Sequence, residues 1–319
     1  MKCIAILSFD LWGFNKKIAE HLIQNGHQVI YINTEDIHFE YKNIFHKVSN
    51  AFSKIIFKKN LKKEAKNKKL LERIASITTE IDDFLIINPG HFKPEVLKLA
   101  KQKSKKIIAY NYDSLERVPL PKDYQLIFDE VFSFDDKDVI NNNFKHITNF
   151  IYLEKVNSCN QNYNLKAFTV QFKDKTRLNI LNKIADIFIE KKINNFEFYI
   201  LGSKTKGINR NIKFIKKKLD LDVVSIKSDQ SEIIIDIVHS NQSGLSFRVF
   251  EAMALEKKLI TTNKSILNYD FYNPSNILVL NDNQINIPDS FLEGKFEKIN
   301  PEIYSNYTIE SWTKKVFQI

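Results

Sequence analysis

Glycine is scarce in this chain, with seven among 319 residues. Proline is as rare, and there are only two cysteines, Cys3 and Cys159. Two unpatterned cysteines exclude a disulfide framework and a cysteine-based zinc site. The histidines show no metal-ligand spacing, so no metal is expected. No apolar run approaches the ~20 residues of a membrane-spanning helix. The opening Met1 to Ser8 reads as a first strand, not as a signal peptide, and a cytoplasmic location follows as the expectation. The loop after that strand holds a single glycine, Gly13. The Gly-x-Gly-x-x-Gly fingerprint is therefore missing, and a dinucleotide-cofactor reading loses its main support.

What is present is a 43% hydrophobic chain with a net charge of +10, long enough for two domains. Such a charge suits nucleic acid, an anionic membrane surface or an anionic substrate. No nucleic-acid motif and no interleaved aromatic and basic pattern occurs, so no nucleic-acid partner is expected. Lys54 to Arg73 is strongly basic, with a partial apolar stripe at Ile55, Ile56, Leu61, Ala65 and Leu70. It is either an amphipathic helix for an anionic membrane surface or a solvated helix between strands.

The first half reads as a doubly wound α/β unit. Strands are expected at Lys2 to Leu7, Gln28 to Ile32, Phe84 to Ile87, Lys106 to Tyr110 and Glu130 to Phe134. Helices are expected at Lys16 to Asn25 and Lys93 to Lys103. In open α/β sheets, ligands bind beyond the carboxyl ends of strands, where His91 and Asp113 fall. Either suits a general base. Asp113 also reads as a turn or cap aspartate, and His91 as a structural loop histidine. The polar stretch Asn157 to Asn164 reads as a linker.

In the second half, strands are expected at Ala167 to Gln171, Phe196 to Leu201, Val223 to Ile226, Ile233 to Ile237, Leu259 to Thr262 and Asn276 to Leu280. Basic residues from Ile208 to Leu219 suggest a helix, and Tyr307 to Phe317 a last one. Gly202, Ser203 and Lys204 form a turn that either touches a ligand or simply links a strand to the next element. The most informative stretch runs from Asp236 to Asn263. A buried strand leads into a polar loop with Gly244, then a helix that Ser246 can cap. A loop feeding a helix N-terminus favours anions. Arg248 and Glu251, three apart, share a helix face. They suit a diphosphate and a ribose, or form an ordinary ion pair.

The segment from Gln242 to Glu251 (Gln-Ser-Gly-Leu-Ser-Phe-Arg-Val-Phe-Glu) resembles the nucleotide-binding signature of GT-B glycosyltransferases. It is most similar to the lipopolysaccharide and capsular polysaccharide branch, including spore-protein-like transferases. Lys257 to Lys264 and Tyr269 to Pro274 continue the likeness. The resemblance implies an α/β protein of two Rossmann-like domains facing across a cleft. It divides as an acceptor domain (1–156), a nucleotide-sugar domain (157–305) and a C-terminal helix (306–319) packing back on the first. It implies metal-independent transfer from a nucleotide-sugar donor to a surface polysaccharide or lipid-linked saccharide, with no cofactor and possible peripheral attachment to the inner face of the membrane. Donor contacts would come from Arg177, Gly202, Ser203, Lys204, Gln242, Ser243, Gly244, Leu245, Ser246, Arg248 and Glu251. Trp12, Phe14 and Asn15 would line the acceptor site, with Asp113 the preferred base. Two departures stand out. Ser243 sits where many retaining members carry a first glutamate, and the usual glycine turn before Arg177 is missing. A non-catalytic scaffold and a sugar-nucleotide epimerase are the alternative readings.

Overall fold

The computed structural model describes residues 1–37, 61–153, 163–239, 242–281 and 284–319. Most of the expected linker at 157–164 lies outside the described residues, as do Cys159 and positions 54–60 of the basic segment. The chain divides into two compact units, Met1–Ser133 with Asp138–His146, and Phe134–Lys137 with Ile147–Ile319.

The first unit runs β1 (Cys3–Ser8), α1 (Phe14–Gln24), β2 (Gln28–Asn33), α2 (Leu61–Ala75), β3 (Ile81–Ile87), α3 (Pro94–Gln102), β4 (Ser104–Asn111), α4 (Tyr124–Ile127), β5 (Glu130–Ser133) and β6 (Lys145–His146). Its six strands are parallel, in the order β2-β1-β3-β4-β5-β6. Every residue of β1 is buried, as the continuous apolar run of a central parallel strand requires, while edge strand β2 is partly exposed. Ile18, Ala19 and Leu22 give α1 its buried stripe. Ala5, Leu7, Phe84, Ile86 and Ile107 meet Val96, Leu97 and Ala100 of α3 in the core.

The second unit repeats the plan with β7 (Leu165–Phe172), α5 (Lys175–Glu190), β8 (Phe196–Leu201), β9 (Ile212–Ile215), α6 (Leu221–Asp229), β10 (Ser231–Asp236), α7 (Phe247–Ala254), β11 (Lys258–Thr261), β12 (Ile277–Val279) and the last helix α8 (Ile309–Phe317). The order is β12-β11-β10-β7-β8-β9, all parallel. In each sheet the order reverses beside the unit's first strand, which leaves a crevice at the strands' carboxyl ends. Within the second unit, Trp312 of α8 packs on Phe150 at 5.2 Å between ring centroids. The backbone around it is tied by bonds from Ile151 N–H to the Tyr307 carbonyl (2.7 Å) and from Ile309 N–H to the Ile151 carbonyl (3.0 Å).

Two expected elements exchange type. The basic run from Ile208 to Leu219 contains strand β9, and Val223 to Ile226 lies in helix α6. Ile208, Ile212, Ile215 and Leu219 recur at helical spacing, yet Ile212 and Ile215 bound an edge strand. Ile212 enters the core beside Phe198, while Lys213 points outward to Glu197 on β8 at 2.8 Å. Cross-strand pairing of that kind stabilises sheets. The helix follows because Asp222 falls in its first turn and Lys227 in its last, both complementing the dipole.

The turn after β3 depends on close backbone approach. A Cβ at Gly90 would stand 2.3 Å from the Pro119 carbonyl oxygen, and a backbone atom cannot rotate away. Gly90→Ala is expected to cost about 1–3 kcal/mol, the range for overpacking. Urea unfolding checks this, and an unchanged midpoint would contradict it.

Candidate active site

In the second unit, the carboxyl ends of β7 and β10 bring together Gln171, Asp174, Arg177, Asp236 and His239. Asp174 caps α5 by accepting from Arg177 N–H at 2.9 Å, which fixes the start of the helix carrying Arg177. The Arg177 guanidinium donates to Gln171 Oε1 at 2.9 Å. Asp236 ends the apolar strand β10 and is buried. It accepts from the Ser246 hydroxyl at 2.8 Å and the Thr261 hydroxyl at 3.3 Å. Burial raises the Asp236 pKa, opposed by the Ser246 bond and by the Arg177 and Arg248 charges. His239 Nε2 lies 4.0 Å from Asp174.

Ser246 caps α7 as expected, with its oxygen accepting from Arg248 N–H at 3.1 Å. The loop before it is held from several sides. Ser243 N–H donates to Asp135 at 2.7 Å, so a carboxylate of the protein itself takes that anion-binding group. Asn263 donates to the Ser243 and Gly244 carbonyls, each at 3.0 Å, and Asn149 to the Leu245 carbonyl at 2.8 Å. Gly244 is required because a Cβ there would meet the Phe134 ring at 2.5 Å. Leu245 is wholly buried and Gln242 half-buried. Arg248 and Glu251 form the ion pair their spacing suggested, with Glu251 almost fully buried. The second Glu251 oxygen accepts from the Tyr152 hydroxyl at 2.6 Å. Burial first, and then that buried carboxylate, raise the Tyr152 pKa, so Tyr152 stays a donor.

The Gly202-Ser203 turn follows β8. Gly202 has φ 154°, and its missing Cβ makes room for Lys173. The Lys173 amine donates to the Ser203 carbonyl at 2.9 Å, beside the end of β7. Lys204 is exposed.

In the first unit, the β1–α1 loop is organised by Asp10, a buried residue that the sequence pattern did not single out. It accepts from Gly13 N–H (2.7 Å), Lys16 N–H (2.9 Å) and the Tyr31 hydroxyl (2.8 Å). Trp12 in this loop and Phe14 at the start of α1 are half-buried. Asn15 is buried and its amide reaches the Tyr112 hydroxyl at 3.4 Å. Asp113 is next to Tyr112 and engaged on both oxygens, by Asn88 at 2.9 Å and by Arg117 at 2.5 Å. His91 stacks against Phe9 at 5.6 Å. Enclosure lowers the His91 pKa, with Lys63 and Arg117 adding to the effect and Asp113 opposing it. So the Asn15, Asn88, Tyr112 and Asp113 side chains gather in one network, and His91 neighbours Asp113.

The missed residues differ in how visible they were. Asp236 is a charge closing an apolar strand, which sequence alone shows. Tyr152 meets Glu251 from 99 residues away, and no local pattern signals that.

Among the described residues, no cluster of three or more His, Cys, Asp or Glu is placed to hold a metal ion. No helix among them is long and apolar enough to cross a membrane.

No protein-family model matches the chain, and no curated protein matches it in sequence. Solved structures do resemble it. One is an alpha-glucosyltransferase in complex with UDP and a 13-mer DNA, at TM-score 0.60 and 13% identity, covering 99% of this chain and 98% of that one. Another is a TarM mutant from S. aureus in complex with Fondaparinux, alpha-GlcNAc-glycerol and UDP, at TM-score 0.60 and 11% identity over 100% and 99% of the two chains. A third is a UDP-forming alpha,alpha-trehalose-phosphate synthase from Burkholderia vietnamiensis, at TM-score 0.59 and 10% identity over the whole of both. The chain thus has the two-domain Rossmann-like fold of GT-B type.

Removing one partner of a buried ion pair costs about 3–5 kcal/mol. Glu251→Ala is therefore expected to lower chemical stability by about 3 kcal/mol, and Glu251→Gln by less. Denaturant titration of both variants checks this, and wild-type stability in Glu251→Ala would contradict it.

Proposed function

We propose that this chain is a glycosyltransferase that moves a sugar from a nucleotide-sugar donor, of UDP type, to a hydroxyl of a saccharide or lipid-linked saccharide. The observation that carries the reading is that Arg177 and Arg248 both act on the buried Asp236, where the strand order reverses between β7 and β10. Such switch points bind ligands in open α/β sheets, and guanidiniums match phosphate oxygens as planar forks. The UDP in the DNA-bound glucosyltransferase and in the TarM mutant is consistent with this donor class.

In this reading the bond from the sugar's anomeric carbon to the diphosphate oxygen breaks as the acceptor oxygen bonds to that carbon. Charge develops on the leaving diphosphate, where Arg177 and Arg248 would stabilise it without a metal. Binding a diphosphate in this reading means exchanging the Arg177–Gln171 and Arg248–Glu251 bonds for phosphate oxygens. Glu251 would accept the ribose hydroxyls by exchanging its bond from Tyr152. Gly202, Ser203 and Lys204 would line the donor site, and Trp12, Phe14 and Asn15 the acceptor. Asp113 would take the acceptor proton on leaving Arg117, or orient the hydroxyl while the diphosphate takes it. No cofactor enters, since the nucleotide sugar is a substrate. Residues 1–156 would serve the acceptor and 157–305 the donor. A lipid-linked acceptor would bring the enzyme to the inner face of the cytoplasmic membrane through its basic α2 segment.

A second reading has a nucleic-acid acceptor. It is favoured by Lys204, Lys206, Arg210, Lys216, Lys217 and Lys218, all exposed, with no acidic residue from 204 to 218. Polyanion binding of this kind weakens steeply with salt.

Calorimetric titration of UDP, GDP, ADP and CMP into wild type and Glu251→Gln tests the first reading. UDP is expected to bind selectively, with affinity about tenfold lower in the variant, an amount equal to 1.4 kcal/mol. A folded protein that binds none of the four would move the reading to a non-catalytic scaffold. Turnover of donor without acceptor would indicate an epimerase. Duplex DNA binding that falls at least a hundredfold between 50 and 200 mM salt would establish the second reading, on the scale of roughly 10³–10⁵ for many phosphate contacts.

A further inference from the structure

A cavity of about 330 Å³ opens in the first unit, and none of the donor residues lines it. Its walls come from two sources. Phe9 follows β1, Thr34 follows β2, and His91, Phe92 and Lys93 follow β3, so three adjacent strands deliver their carboxyl ends to one place. The opposite wall is α2, through Lys63, Lys66, Asn67 and Leu70. Those positions are spaced i, i+3, i+4 and i+7, which is a single helix face. The face is graded. Leu70 is buried, Asn67 and Lys66 are half-buried, and Lys63 is exposed.

The lining is divided in chemistry. Phe9, Ile37, Leu70 and Phe92 give it an apolar part. Lys63, Lys66, Lys93 and His91 give it a basic part, and no carboxylate stands among its described lining residues. Glu95 is near, accepting from Asn67 at 3.2 Å and lying 3.7 Å from Lys93, and the Asp113 charge acts on His91. Three lysines, Lys63, Lys66 and Lys93, stand among the lining residues. The volume falls at the low end for small-molecule sites. An apolar wall with a cationic mouth is complementary to a molecule with an apolar body and an anionic end.

We propose that this cavity binds a phosphate ester of an apolar alcohol, with the phosphate between Lys63 and Lys66 of α2 and the apolar body against Phe9, Leu70 and Phe92. Resting on the glycosyl-transfer reading, the cavity would hold the phosphate-bearing end of the acceptor near His91 and Asp113.

The test is calorimetric titration of hexyl phosphate, inorganic phosphate and hexanol into wild type and the double variant Lys63→Glu/Lys66→Glu, with UDP titrated into both. Hexyl phosphate is expected to bind at least tenfold more tightly than either of its halves. The double variant is expected to lose at least tenfold of that affinity and to keep its UDP affinity. Phosphatidic-acid vesicles give the other source of the same chemistry. Charge-reversal-sensitive sedimentation with them assigns the ester to a lipid, and binding of hexyl phosphate alone assigns it to a soluble molecule. Hexyl phosphate binding no better than its halves, or binding equally to the folded double variant, would overturn the proposal. Hexyl phosphate binding without any UDP binding would sustain the cavity while sinking the glycosyl-transfer reading.

Discussion

A parallel sheet covered on both faces has no place along its strands for solvated polar groups. In both units the central strands carry apolar runs, with β1, β10 and β11 nearly wholly buried. Polar chemistry is thereby displaced to the strand ends, and the reversal of strand order decides which ends lie side by side. Asp236, Arg177 and the Ser246 cap stand together for this reason in the second unit, as do Asn88, His91 and Asp113 in the first.

Holding charges at such places is costly unless each is answered. The structure answers them with short polar networks. Asp10 takes three donors and fixes the loop that carries Trp12 and leads into Phe14 of α1. Glu251 takes Arg248 and Tyr152, and Asp113 takes Asn88 and Arg117. These networks hold the geometry of the strand ends. They also give any ligand a defined set of bonds to exchange, so recognition here is a contest between substrate oxygens and the protein's own carboxylates.

Much of this was legible in the chain. Continuous β-branched runs such as Ile233 to Ile235 marked central strands, and Ser246 before Phe247 marked a helix start. The three-residue spacing of Arg248 and Glu251 foretold their pairing. The exchange at Ile208 to Ile226 was not legible, because Ile212 and Ile215 fit a helix stripe and an edge strand equally well. The partner across the sheet, Glu197, settles it. Nor could the sequence show that Asp135 occupies the Ser243 N–H or that Tyr152 reaches Glu251, since both contacts join segments about a hundred residues apart. The cavity beside α2 was half visible. Its lysines were read as a basic face, while the apolar wall they border is assembled from three strand ends.

The most direct measurement is a crystal structure of the full chain soaked with UDP. The account predicts the diphosphate within hydrogen-bond distance of Arg177 and Arg248, at the carboxyl ends of β7 and β10, with the Glu251–Tyr152 bond exchanged for ribose hydroxyls. UDP seated elsewhere in the second unit, with Arg177 still on Gln171 and Arg248 still on Glu251, would contradict it.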